Sequence, residues 1–256
     1  SFFIQNPAAM RLRCILSFLP LLCSLTGCLS LYGQHRSIHQ EQFEHYKAYG
    51  FSPDTWQHLN AQQAPPPAAK NGADCRLQKR VFGWHPYWSN GLENHYDWGL
   101  LSDLSYFSYE VNPLTGNANN TYNWATAPVV TQAIARGVRV HLCVTLFNSH
   151  ATFFSSPNAR QTLINNLITL VQQRGAHGVN IDFEAVPASQ SGNLTEFIIA
   201  LGTQLHSAIP GAELSIALPA VDWSTVFNVA AMAPHVDLFI IMGYDYYWSG
   251  SAQAGP

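Results

Sequence analysis

The run HGVNIDFEAV, residues 177–186, sets two acids, Asp182 and Glu184, among Val, Ile and Phe in a chain of which only 11% is charged. A carboxylate among apolar neighbours is costly unless it is paired, hydrogen-bonded or used in chemistry. The run reads as a strand. Side chains alternate along a strand, so Asn180, Asp182 and Glu184 share one face and Val179, Ile181 and Phe183 the other. In a parallel barrel the apolar set packs against the surrounding helices and the polar set lines the axis. Glu184 then lies at the C-terminal end of its strand, where barrel active sites are built.

The flanking sequence supplies more strands of this kind. After Arg80, short apolar runs (VFGW from 81, LSYFSYEV from 104, VRVHLCVTLF from 138, GVNIDF from 178, ELSIALPA from 213, VDLFIIMGY from 236) alternate with segments of helical spacing. In ARQTLINNLITLVQQRG, Leu163, Leu167, Leu170 and Val171 fall on one helical face and Gly175 provides a stop. Alternating strands and helices imply parallel βα units. The expected fold class is α/β, a (β/α)8 TIM barrel with about six of its eight units within residues 78–256. A doubly wound sheet fits less well, since no Gly-rich phosphate loop is present. The strand count also suggests an open reading frame truncated at its C-terminal end.

Ahead of the barrel lie two other textures. Met10 reads as the natural start, and MRLRCILSFLPLLCSLTGC joins two arginines to an apolar run too short to span a bilayer, as in a secretory signal. Leu25-Thr26-Gly27-Cys28 resembles the bacterial lipobox, which would make Cys28 the lipidated first residue of a protein held at the cell envelope; an ordinary signal peptide and secretion are the alternative. Residues 1–28 are thus assigned to signal and upstream sequence, and 29–77 to a polar, Pro-rich tether. Within the tether, residues 37–49 have helical character, with Ser37 and Gln40 as a capping box and Gly50 as a stop. The chain has 47% hydrophobic residues and a net charge of −3, so nothing points to nucleic acid. The 11 histidines show no HExxH spacing, and neither metal nor cofactor is expected. Of the cysteines left after signal removal, Cys143 reads as a small buried residue, and no pairing with Cys75 is predicted.

Two carboxylates on one face of one strand cannot easily stand on opposite sides of a scissile glycosidic bond. They suit one proton donor with a helper carboxylate, the nucleophile coming from elsewhere, for which a substrate acetamido oxygen is one solution. HGVNIDFE resembles the fourth-strand signature of glycoside hydrolase family 18, DGxDxDxE, the chitinases and N-acetylglucosaminidases. FGWHPYW resembles the family's first strand and MGYDYYW its sixth-strand MxYD, so the resemblance runs over about residues 80–256. It implies Glu184 as general acid and then base, Asp182 as the group that orients the acetamide and stabilises an oxazolinium, and Tyr244 as its hydrogen-bond donor. Asp245 and Met242 would line the sugar site, and Asn180, Trp84, Tyr87 and Tyr109 complete the expected substrate-binding set. His177 and Asn180 stand where the pattern has Asp. The implied partner is chitin or peptidoglycan, with the membrane reached through the lipid. Two alternatives stay open: a non-catalytic sugar-binding protein on the same fold, and an inactive truncated fragment.

Overall fold

The computed structural model describes residues 37–63, 77–244, 246–247 and 252–253. Two helices come first, α1 (Ile38–Lys47) and α2 (Pro53–Gln63), then β1 (Phe82–Pro86), β2 (Asp103–Val111), β3 (Ala118–Asn120), α3 (Pro128–Ala135) and β4 (Arg139–Leu146). There follow α4 (His150–Ser155), α5 (Pro157–Arg174), β5 (Gly178–Phe183), α6 (Ser191–Ala208), β6 (Glu213–Pro219), α7 (Val229–Met232) and β7 (Leu238–Met242). All six expected apolar runs are strands. They pair in the order β1-β2-β4-β5-β6-β7, every pair parallel, and short β3 adds to β2 antiparallel.

Local signals explain the helices. The Ser156 hydroxyl accepts the Ala159 amide at 3.2 Å, Pro157 opens α5 with its φ already set, and Gly175 ends it in the left-handed region at φ 62°. Its buried stripe is Ala159, Leu163, Ile164, Leu167 and Val171. All six β5 residues are buried, for two different reasons. Its outward set packs on helices, with Phe183 stacked on Phe197 of α6 at 5.7 Å and 9° and meeting Phe153 of α4 edge-on. Its inward set is polar and sits in the barrel interior.

The sheet is strongly curled. Laid flat, β1 and β6 stand four strand spacings apart, roughly 19 Å. Yet Arg80, just ahead of β1, donates to Glu213 at the start of β6 at 2.7 Å. The same guanidinium donates to Asp103 at the start of β2, Arg139 of β4 reaches Glu213 at 3.0 Å, and His141 Nε2 lies 3.2 Å from Asp103. Five charged or titratable side chains from four strand starts thus close the N-terminal end of the half-barrel. Burial alone would raise the Asp103 carboxyl. Hydrogen bonds from His141, Arg80 and Ser102, with the Arg80 charge, hold it well below the usual carboxylate range.

The segment expected as a tether is structured where it is described. Ser37 caps α1 by accepting the Gln40 amide at 3.1 Å, and Gly50 follows at φ 66°. The helices are not solvated spacers. Phe43 is buried, Tyr46 stacks on Trp88 at 4.9 Å and 11°, and Asn60 donates to the Trp88 and Asn90 carbonyls. Gly91, at φ 99°, permits this approach, because a Cβ there would lie 2.7 Å from the Gln57 carbonyl. Five aromatic side chains from residue 43 to residue 56, Phe43, Tyr46 and Trp56 on the helices and Tyr49 and Phe51 between them, give this segment an apolar side that docks despite its polar average composition. The signal, Cys28, the Pro-rich run and Cys75 lie outside the described residues.

Candidate active site

The site lies at the C-terminal ends of β4, β5 and β7. Asp182 is fully buried near the end of β5, and Glu184 follows immediately, 7% exposed. The Glu184 amide donates to the Leu146 carbonyl at 3.2 Å, tying the acid to the end of β4, and Ala185 turns the chain away at φ 53°. Tyr244 stands two residues beyond β7, its amide bonded to the Met242 carbonyl at 2.8 Å. Met242 is buried and pairs with Pro219 across to β6.

One strand repeat below Asp182, about 6.6 Å deeper, Asn180 is fully buried and its side chain makes three hydrogen bonds. Its carbonyl oxygen accepts from Trp84 Nε1 at 2.9 Å and Ser105 at 3.2 Å, and its amide donates to Ser215 at 3.0 Å. Asn180 therefore fixes the Trp84 indole rather than presenting itself at the opening. His177, the other departure from the family pattern, accepts the Val140 amide on Nδ1 at 3.0 Å, and burial foremost lowers its pKa. It anchors the start of β5 and takes no part in the acid pair. Cys143 of β4 is free and buried, its thiol pushed well above the ordinary value by burial first and then by the Asp182 charge, which leaves it unreactive.

Two of the expected substrate contacts are elsewhere. Tyr109 donates to the Gly116 carbonyl at 2.8 Å and accepts from Asn166 of α5 at 3.1 Å, so it packs outward. Strict alternation from Ser105 would point it inward, but the β2 register slips between Tyr106 and Tyr109, and Ser108 takes the inward place, 3.0 Å from Thr145 of β4. Tyr87 is buried face to face with Tyr122, ring centroids 4.0 Å apart, and forms wall rather than floor. Asp245 lies outside the described residues.

The groups that meet the acids and were not foreseen come from α1. The Ser37 hydroxyl donates to Glu184 Oε2. His39 Nδ1 lies 3.1 Å from Asp182 Oδ2 and 3.6 Å from Glu184 Oε1, while its Nε2 lies 3.0 Å from the Tyr244 hydroxyl. The tautomer with its proton on Nδ1 satisfies both sides, donating to Asp182 and accepting from Tyr244. The same imidazole is tilted over Trp84 at 5.1 Å. Asp182 Oδ1 is buried and has no hydrogen-bond partner among the described residues. The Ser37 cap was legible in the sequence, though the Gln40 side chain donates to Glu44 instead of completing a capping box, and nothing in the sequence says where the helix docks.

Among the described residues, two triads bring possible metal ligands within 4.8 Å of one another: His39, Asp182 and Glu184, and Asp103, His141 and Glu213. In the second, Arg80 and Arg139 already supply the positive charge a cation would bring. The first depends on a helix that does not belong to the barrel, and hydrogen bonds hold it together.

Comparison with known proteins matches this geometry to a family. Residues 134–256 match the family model described as glycosyl hydrolases family 18. The sporulation-specific glycosylase YdhD of Bacillus subtilis is 32% identical over 169 residues, covering 60% of this chain and 38% of YdhD. Its crystal structure superposes with a TM-score of 0.52 at 31% identity, covering 59% of this chain and 52% of that one. A chitinase of Cycas revoluta, solved with (GlcNAc)4, has a TM-score of 0.57 at 20% identity over 65% of this chain and 55% of its own. The spore cortex-lytic enzyme SleL of Bacillus cereus has a TM-score of 0.52 at 20% identity, covering 60% and 37%. These last two share the fold. The chain spans about half or less of the length of these relatives.

Proposed function

We propose that this chain, whose residues 134–256 match the glycosyl hydrolases family 18 model, hydrolyses β-1,4 bonds in polymers of N-acetylglucosamine by substrate-assisted, retaining catalysis. One observation carries the reading: Asp182 and Tyr244 converge on a single planar group, the His39 imidazole, which offers a donor to one and an acceptor to the other. An acetamide has the same pattern, an N–H for the carboxylate and a carbonyl oxygen for the phenol. Beside it Glu184 has one oxygen in contact with a hydroxyl, where a glycosidic oxygen or a water would stand.

In this mechanism Glu184 protonates the leaving oxygen while the acetamido carbonyl oxygen attacks the anomeric carbon. Asp182 accepts the acetamide N–H as positive charge develops, and Tyr244 orients the carbonyl. The Glu184 carboxylate then takes a proton from water, which opens the oxazolinium from the face the leaving group left, so configuration is retained. Trp84 offers a flat apolar face for the sugar. A thiazoline analogue of the oxazolinium should inhibit hydrolysis competitively, with chitin oligomers and purified peptidoglycan assayed side by side. Turnover untouched by the thiazoline removes substrate assistance, and oligomer binding without turnover points to a sugar-binding protein. The name of YdhD, a sporulation-specific glycosylase, favours the peptidoglycan arm.

Envelope attachment belongs to the same proposal, with Cys28 as the lipid acceptor. Cells fed labelled palmitate should label the wild-type chain, and Cys28→Ala should abolish both the label and partition into the detergent phase. An unlabelled wild type retires the anchor.

A further inference from the structure

The proposed mechanism needs Asp182, Glu184 and Tyr244 open to a sugar, and α1 touches all three. We infer that residues 37–47 are a built-in competitor for the substrate, so that the full chain is self-inhibited while α1 is docked. This rests on the reading of the cleft given above.

The contacts copy a ligand group by group. His39 engages Asp182 and Tyr244 through opposite ring nitrogens and lies against Trp84, as an acetamido sugar would. The Ser37 hydroxyl on Glu184 stands for the attacking water or the released sugar hydroxyl. Sugar and helix cannot both hold Asp182 Oδ2 and the Tyr244 hydroxyl, so their binding is mutually exclusive. Away from the acids the helix has its own seat. Phe43 packs edge-on against Phe107 at 5.9 Å and tilted against Phe147 at 5.6 Å, and Lys47 pairs with Glu110 of β2 at 2.6 Å. The seat is light. α1 has 10 residues, too short to hold helical structure alone in water, and its first turn meets the barrel through the Ser37 and His39 side chains. A latch of that size yields to a sugar of moderate affinity, or to tension on the residues ahead of it.

The test compares the full-length wild type with Phe43→Ala, Lys47→Glu and His39→Ala. Lys47→Glu is a mild surface change that sets two carboxylates against each other and leaves the core intact. The first readout needs no sugar: a water-soluble carbodiimide couples glycine ethyl ester to accessible carboxyls, and peptide mass spectrometry follows Glu184, with exposed Glu41 as reference. Undocking should speed Glu184 labelling about tenfold, the factor that loss of one or two net hydrogen bonds implies. The second readout is hydrolysis of chitin oligomers, where KM should fall by a similar factor with kcat little changed. Equal Glu184 labelling in wild type and variants overturns the latch, as does an unchanged KM in variants that hydrolyse sugar. Accelerated labelling without any turnover upholds the latch and instead defeats the glycosidase reading.

Discussion

Glu184→Gln should lower turnover of N-acetylglucosamine oligomers by about 10²- to 10⁴-fold, the usual contribution of a positioned general acid–base, while oligosaccharide binding survives. The amide keeps the shape of the side chain and can still accept the Ser37 hydroxyl, so neither α1 docking nor the fold has reason to change. What it loses is the proton for the leaving oxygen and, in the second step, the base for water. Because one residue serves both steps of the proposed mechanism, no other group can take over half of the reaction. Asp182→Asn should cut the rate less, since the acetamide can still be positioned but the developing positive charge faces a neutral group. Hydrolysis rates set beside calorimetric binding of the same oligomer separate the two effects. Unchanged turnover in Glu184→Gln would remove it as the acid.

The parts of this site that could be read from the chain are those governed by a strand's period of two. Asp182 and Glu184 follow from alternation within GVNIDFE, and the outward set of Val179, Ile181 and Phe183 meets the helices for the same reason. The α5 stop at Gly175 was visible because left-handed backbone favours glycine. Tyr109 failed where the period failed: one irregularity in β2 moved every later side chain to the opposite face. Tyr87 failed because aromatic residues near a strand end serve walls as readily as floors. The docking of α1 was hidden for a different reason. His39 and Asp182 are separated by 143 positions, and a polar helix with an aromatic stripe carries no mark of which apolar surface it will cover. Asn180 shows an intermediate case. Its inward direction was legible, but its use as a bracket for Trp84 depends on a strand nearly a hundred residues away.

The charged closure at the N-terminal end of the barrel was equally silent in the sequence, and it sets the largest expected effect on stability. Asp103→Asn should destabilise the chain by about 3 kcal/mol at neutral pH, the lower end of the range for breaking a buried ion pair, because solvent around Arg80, 39% exposed, screens part of the interaction. The neutral amide leaves the Arg80 and Arg139 charges with only Glu213 between them, and it cannot bridge β1, β2 and β4 as the carboxylate does. The pH dependence gives the sign. The folded carboxyl is held below its ordinary value near 3.8, so the unfolded chain binds the proton more readily. The contribution of Asp103 is therefore fully present above that value and is lost as pH falls through the folded one. Urea midpoints for wild type and Asp103→Asn should stand well apart at pH 7 and approach each other below about pH 4. A constant gap across that range would mean that packing, not charge, is what Asp103 provides.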